Sequence, residues 1–257
     1  MMSLRMHPPA RQRARLAGAL GMLALLGFCV AEAQEISSAE TLLFETDHLA
    51  RLKAPATLVY DFRKASNVEP GFTDKVRLEL ARVNGKPSAT LHFLSGEHKQ
   101  EIPALEEAHG NPVLLGFLER DIAEMKRLTG GSSNYFRKRI RIALAQDAQV
   151  SMQSIRYHGK TVQAQVVRIQ PYLHDPMHEH FENYLRKTYT FILSEQVPGS
   201  VYELRTSLGN RGGVRTAAAA AAGPPAGPPA ASPAASSTTP AVIDETLTLI
   251  SITPKQP

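Results

Sequence analysis

Apolar and polar positions alternate along most of this chain. Leu58, Tyr60 and Phe62 fall on one side of a run, and Val76, Leu78 and Leu80 on one side of the next, opposite Lys75, Arg77 and Glu79. Ala89, Leu91 and Phe93 repeat the pattern after Asn84-Gly85, which has hairpin-turn chemistry. The spacing predicts a strand over Phe136, Ile140, Ile142 and Leu144, alternating with Arg137, Arg139 and Arg141. It predicts others over Val162–Val166 after His158-Gly159, over Leu185–Leu193, over Val201–Thr206 after Val197-Pro198-Gly199, and over Val242–Thr253. One apolar and one polar face per strand is the mark of antiparallel sheets wetted on one side.

The clearest helix runs over residues 113–128. Asn111 is its cap, Pro112 suits its first turn, and Gly130-Gly131 stops it. Its expected apolar stripe is Leu115, Leu118, Ile122 and Met125, with Glu119, Asp121 and Glu124 on the wet face. Ser37 with Glu40 has the form of a capping box, so a second helix with Leu42, Leu49 and Leu52 on its stripe competes with a loop there. Strands in runs with so few helices give a mainly β (α+β) fold: a strongly curved antiparallel sheet, or unclosed barrel, with one or two covering helices.

Two stretches depart from this patterning. Arg5, Arg11, Arg13 and Arg15, an uncharged run from Leu16 to Val30, and Ala31-Glu32-Ala33 have the three parts of a secretory signal, residues 1–33, cleaved near Ala33. The run is shorter than the ~20 residues a spanning helix needs, and an uncleaved anchor is the competing reading. Cys29 is the only cysteine, and Phe28 before it does not suit a lipid-modified site. A secreted chain without bridges points to a periplasm. Residues 209–241 are mostly Ala, Pro and Gly, with almost nothing apolar larger than Ala, a composition too poor in apolar surface to offset ordering entropy. The expected division is therefore a signal (1–33), a β domain (34–208), a disordered linker (209–241) and a last strand (242–257) returning to the sheet, since a free sticky segment invites aggregation.

The chain has 29 Lys plus Arg and 24 Asp plus Glu. Without residues 1–33, which hold four of the former and one of the latter, 25 face 23, so the excess of +2 gives no reason to expect nucleic acid.

His174, His178 and His180, with Met177 nearby, have residue types that suit copper or zinc, although Asp175-Pro176 is equally a plain helix start. Arg137, Arg139 and Arg141, on one face of the expected strand, form a candidate face for an anion or partner; a solvated outer face explains them as well. No serine elbow, zinc-protease helix, phosphate loop or cysteine nucleophile occurs, and Gly130-Gly131-Ser132-Ser133 follows a helix where an exposed serine needs a preceding strand. No catalytic residue is assigned, and no cofactor beyond the copper or zinc option.

An export signal, no cysteine beyond it, a run of antiparallel strands and a helix over the apolar face resemble the periplasmic lipoprotein-carrier (LolA-type) domains, over roughly residues 57–253. The stretches 111–144 and 172–205 also look like exported proteobacterial proteins. The carrier resemblance implies an unclosed barrel lidded by helices with acyl chains held inside, and it carries over no site residue. The leading expectation is thus a non-enzymatic periplasmic protein binding a hydrophobic or lipid-like ligand or a lipoprotein. A copper- or zinc-binding protein, and an envelope assembly factor using residues 209–241 as a tether to an envelope protein, are the alternatives.

Overall fold

The computed structural model describes residues 35–208 and 241–254. The expected signal, and all of the expected linker but Ala241, lie outside the described residues.

Nine strands form one antiparallel sheet: β1 (Ala56–Ser66), β2 (Phe72–Val83), β3 (Lys86–Phe93), β4 (Leu105–Glu106), β5 (Gln149–Tyr157), β6 (Lys160–Ile169), β7 (Thr188–Leu193), β8 (Val201–Leu208) and β9 (Ile243–Pro254). Their order is β4-β3-β2-β1-β9-β8-β7-β6-β5, so the two end strands do not meet and the barrel is unclosed. The last strand lies at the middle of the sheet, between β1 and β8. Its alternation explains the placement: Ile243, Glu245, Leu247 and Leu249 are buried in turn. Cross-strand pairs Phe191–Leu204, Leu204–Leu247 and Leu247–Phe62 carry one apolar row over four strands. Each such fully buried side chain is stabilised by about 1.5–3 kcal/mol relative to exposure.

Three helices cover the apolar face: α1 (Ser38–Glu40, running on as a π-turn over Thr41–Glu45), α2 (Pro112–Thr129) and α3 (Ser133–Gln146). Ser37 and Glu40 make both halves of the capping box. Asn111 caps α2 through Oδ1, which accepts from Val113 N–H at 3.1 Å. Its Nδ2 donates to the Tyr60 hydroxyl at 3.0 Å and to the Gly199 carbonyl at 2.8 Å, tying the helix start to β1 and the β7–β8 bend. Gly130 ends α2 in the left-handed conformation (φ 73°). Midway along α2, a Cβ on Gly116 would stand 2.6 Å from the Phe93 ring and 2.9 Å from Leu91, so glycine lets this helix lie close on β3.

Two expectations need correction. Residues 136–144 are not a strand; they lie in α3, capped by Ser132, whose Oγ accepts from Tyr135 N–H at 3.2 Å. The buried residues Phe136, Ile140, Ala143 and Leu144 follow helical spacing, and positions four and eight apart satisfy both periods. Leu115 is 51% exposed, and Leu114 and Phe117 take its place on the buried stripe of α2.

Candidate functional site

One cluster of buried apolar side chains spans the sheet and the helices, and an open concavity lies at one end of the helical layer. It measures about 280 Å³ and opens between the α2–α3 turn (Thr129 to Ser132) and the turns that precede β7. Tyr135, Phe136, Met177 and Phe181 wall it, with His180 at its side. The turn is Gly-Gly-Ser for a steric reason. A Cβ on Gly131 would stand 2.6 Å from Cζ of Phe136, so only glycine lets the chain pass over that ring. Thr129 Oγ1 donates to Met125 O at 2.6 Å and accepts from Gly131 N–H at 3.2 Å, which fixes the turn. Behind it the rings pack edge to face: Phe136 against Tyr172 at 5.8 Å and Phe181 at 6.2 Å, and Tyr172 against Tyr189 at 6.3 Å.

The far wall hangs on Asp175. Its side chain is wholly buried and lies 2.7 Å from Arg139 Nε. Oδ1 of Asp175 accepts from the Tyr135 hydroxyl and, at 2.8 Å, from Met177 N–H. Burial and the Asp175 carboxylate push the Tyr135 phenol up to about 12, so it stays a donor at neutral pH. The lining offers aromatic and thioether surface, hydroxyls and an imidazole, and pairs no nucleophile with a base.

A buried polar belt runs beneath α2. Arg120 Nη2 lies 2.8 Å from Glu245 Oε1, and its guanidinium stands over Phe62 at 5.1 Å and Phe72 at 5.5 Å. Lys64 Nζ lies 2.9 Å from Glu69, 3.7 Å from Glu124 and 3.9 Å from Glu245. Next along the helix, Asp121 holds Lys187 at 2.5 Å and accepts from the Tyr189 hydroxyl, which bonds Tyr172 at 3.0 Å. Burial raises the Glu245 carboxyl above its usual range. Burial also acts to raise Glu124, but Arg127, Lys64 and Arg120 outweigh it and the carboxyl is lowered. Asp121, expected on the wet face, is 1% exposed. Its flanking charges Glu119 and Glu124 concealed a position that needs an acid for Lys187.

The residues singled out from sequence disperse. Because α3 is a helix, Arg137, Arg139 and Arg141 share no single face: Arg139 turns inward to Asp175, whereas Arg137 pairs with Glu119 at 2.7 Å on the surface. Arg141 is exposed. His174, His178 and His180 are all exposed on turns, where His178 Nδ1 lies 3.2 Å from Asp175 O. Among the described residues no group of three or more His, Cys, Asp or Glu side chains could hold a metal ion, so the three imidazoles do not converge. Gly130-Gly131-Ser132-Ser133 joins two helices. Sequence reasoning missed Tyr135, Phe136 and Phe181 as one wall, since rings from two segments meet only in the fold.

No helix among the described residues is long and apolar enough to cross a membrane. No protein-family model matches this chain, and no curated protein matches it. Among solved structures it is similar to the lipoprotein LppX of Mycobacterium tuberculosis, at 8% identity and a TM-score of 0.28, covering 75% of this chain and 84% of that one. It is also similar to a LolA superfamily protein of Nitrosomonas europaea, at 10% identity and a TM-score of 0.22, covering 86% of this chain and 95% of that one. The likeness is one of architecture and carries nothing about ligand or partner.

Proposed function

We propose that this chain is an exported, non-enzymatic binding protein that takes the apolar part of a lipid-like ligand into the cleft between the α2–α3 turn and Phe181. Release into a periplasm after removal of residues 1–33 belongs to the same reading. The carrying observation is the cleft: about 280 Å³, open to solvent, with Tyr135, Phe136, Met177 and Phe181 on its walls. Such a volume lies just below the usual ~300–1,000 Å³ of small-molecule sites, which suits one chain or ring rather than a bulky ligand. Aromatic and thioether walls favour apolar matter, and the exposed His180 at the side of the cleft is available to a polar head.

Titration of the secreted protein with a fluorescent fatty-acid probe, alongside native mass spectrometry of the periplasmic extract, tests this. Met177 is 45% exposed, so Met177→Asp leaves the core intact while putting a charge into the cleft. The expected result is saturable probe binding weakened about tenfold by Met177→Asp, the equivalent of roughly 1.4 kcal/mol. A wild type that neither binds the probe nor carries added mass, or equal affinity in the variant, overturns the reading.

A further inference from the structure

The two ends of the sheet are treated differently. At one end β4 is two residues long, and its neighbourhood is charged, with Glu106 on the strand and Lys86 paired to Glu107. Short, charged edges are how sheets discourage pairing. The other end is β5, nine residues with no proline, lysine or acid and with one charge, Arg156.

The turn after β5 fixes which backbone groups face outward. His158 (φ 46°) and Gly159 (φ 77°) form a two-residue turn with both residues left-handed, closing on the pair Tyr157–Lys160. In such a hairpin the closing pair exchanges both ladder hydrogen bonds. Odd-numbered residues of β5 therefore bond to β6, and the N–H and C=O groups of Val150, Met152, Ser154 and Arg156 point away from the sheet. The Arg156 carbonyl accepts from the Tyr202 hydroxyl at 3.3 Å. Among the described residues no hydrogen bond is made by the outward backbone groups of Val150, Met152 or Ser154. Val150 and Met152 also put their side chains on one face, 38% and 64% exposed.

We infer that this edge pairs two copies of the chain, β5 to β5, antiparallel about a two-fold axis at Met152. The register follows from the sequence. Centred there, Met152 faces Met152 and Val150 faces Ser154, so each Val150 lies diagonal to the partner's Met152 and the exposed apolar side chains of both copies merge. Arg156 falls opposite Ala148, beyond the strand, and no like charges face each other across the ladder. The same patch serves both copies, as a two-fold contact requires. The Ala/Pro/Gly segment 209–240 is a poorer occupant, because its prolines have no N–H to donate.

Sedimentation velocity of the secreted protein over a dilution series reads the outcome. The wild type should sediment as a dimer that dissociates on dilution. Met152→Lys should be monomeric at concentrations at least tenfold higher, and at dilutions where the wild type is also monomeric the two should share one thermal midpoint, as the side chain is solvent-exposed. Directly opposed Cα atoms in a hydrogen-bonded antiparallel pair lie ~5.5 Å apart, within disulfide range. Met152→Cys should thus form a covalent dimer with oxidised glutathione, whereas Lys160→Cys, at the start of β6, should not. A wild type monomeric throughout, or a dimer insensitive to Met152→Lys, overturns the inference. A dimer lost in Met152→Lys but never cross-linked by Met152→Cys overturns the register.

Discussion

At the residue scale, His48 ties the turn that follows α1 to the start of α2 through a neutral imidazole. It is 3% exposed, and both ring nitrogens are used: Nε2 faces the Leu42 carbonyl at 2.9 Å, and Nδ1 accepts from Asn111 N–H at 3.2 Å. A proton on Nδ1 removes that acceptor from the residue that caps α2. Burial lowers the His48 pKa, outweighing the Leu42 carbonyl and Asp47, which act to raise it. The unfolded chain then binds the proton more tightly than the folded one. The stability at stake is complete above the ordinary imidazole value of about 6.5 and is lost as the pH falls through the lowered folded value. Thermal midpoints of wild type and His48→Gln between pH 8 and 5 check this. Glutamine keeps one donor and one acceptor, so the variant should cost about 1 kcal/mol at pH 8 and show a shallower fall in acid. Parallel curves would remove His48 from the account.

At the element scale, α2 is held to the sheet by more than its apolar stripe, because Arg120 and Asp121 bring opposite charges into the layer between them. Asp121→Ala leaves the Lys187 ammonium, with its side chain 5% exposed, without its carboxylate. That should cost about 3–5 kcal/mol in urea unfolding. The double variant Asp121→Leu/Lys187→Met removes both charges and should recover most of the loss. A double variant as unstable as the single one would show that packing, rather than the unpaired charge, sets the cost. The same helix shows what a sequence can display. Its cap, its proline and its glycine stop act locally and were legible, as were the strands with one wet face. Asp121 was not, because its partner lies on a segment far along the chain. In α3 the residues Phe136, Ile140 and Leu144 recur at four and eight, where helical and strand periods agree, and the arginines between them favoured the wrong one. β5 was missed outright, since its alternation changes phase along the strand: Val150 and Met152 lie on one face and Ile155 and Tyr157 on the other. The cleft needed Phe181 beside Phe136, a meeting set by the fold.

At the scale of the whole molecule, the end of the chain completes the middle of the sheet. Leu208 of β8 stands opposite Ile243 of β9, so the chain between them, residues 209–242, connects two adjacent antiparallel strands. β9 pairs with β1 on its other side, which makes it a structural keystone despite its place in the sequence. Truncation after Leu208 should therefore abolish the folded protein rather than trim it. Excision of residues 209–240 with an Asn-Gly insert should do the reverse. It leaves Ala241 and Val242 in place, and the Val242 carbonyl still accepts from Asn67 N–H at 3.1 Å while Val242 N–H donates to Asn67 Oδ1 at 2.7 Å. If residues 209–240 carry no packing of their own, as their composition leads one to expect, the excision amounts to roughly three halvings of loop length. At about 0.6 kcal/mol per halving, the shortened protein should gain about 2 kcal/mol in chemical denaturation with an unchanged m-value. A loss of stability, or a smaller m-value, would mean that the excised residues bury surface against the domain. Probe affinity should not change, because every residue lining the cleft lies between Thr129 and Phe181.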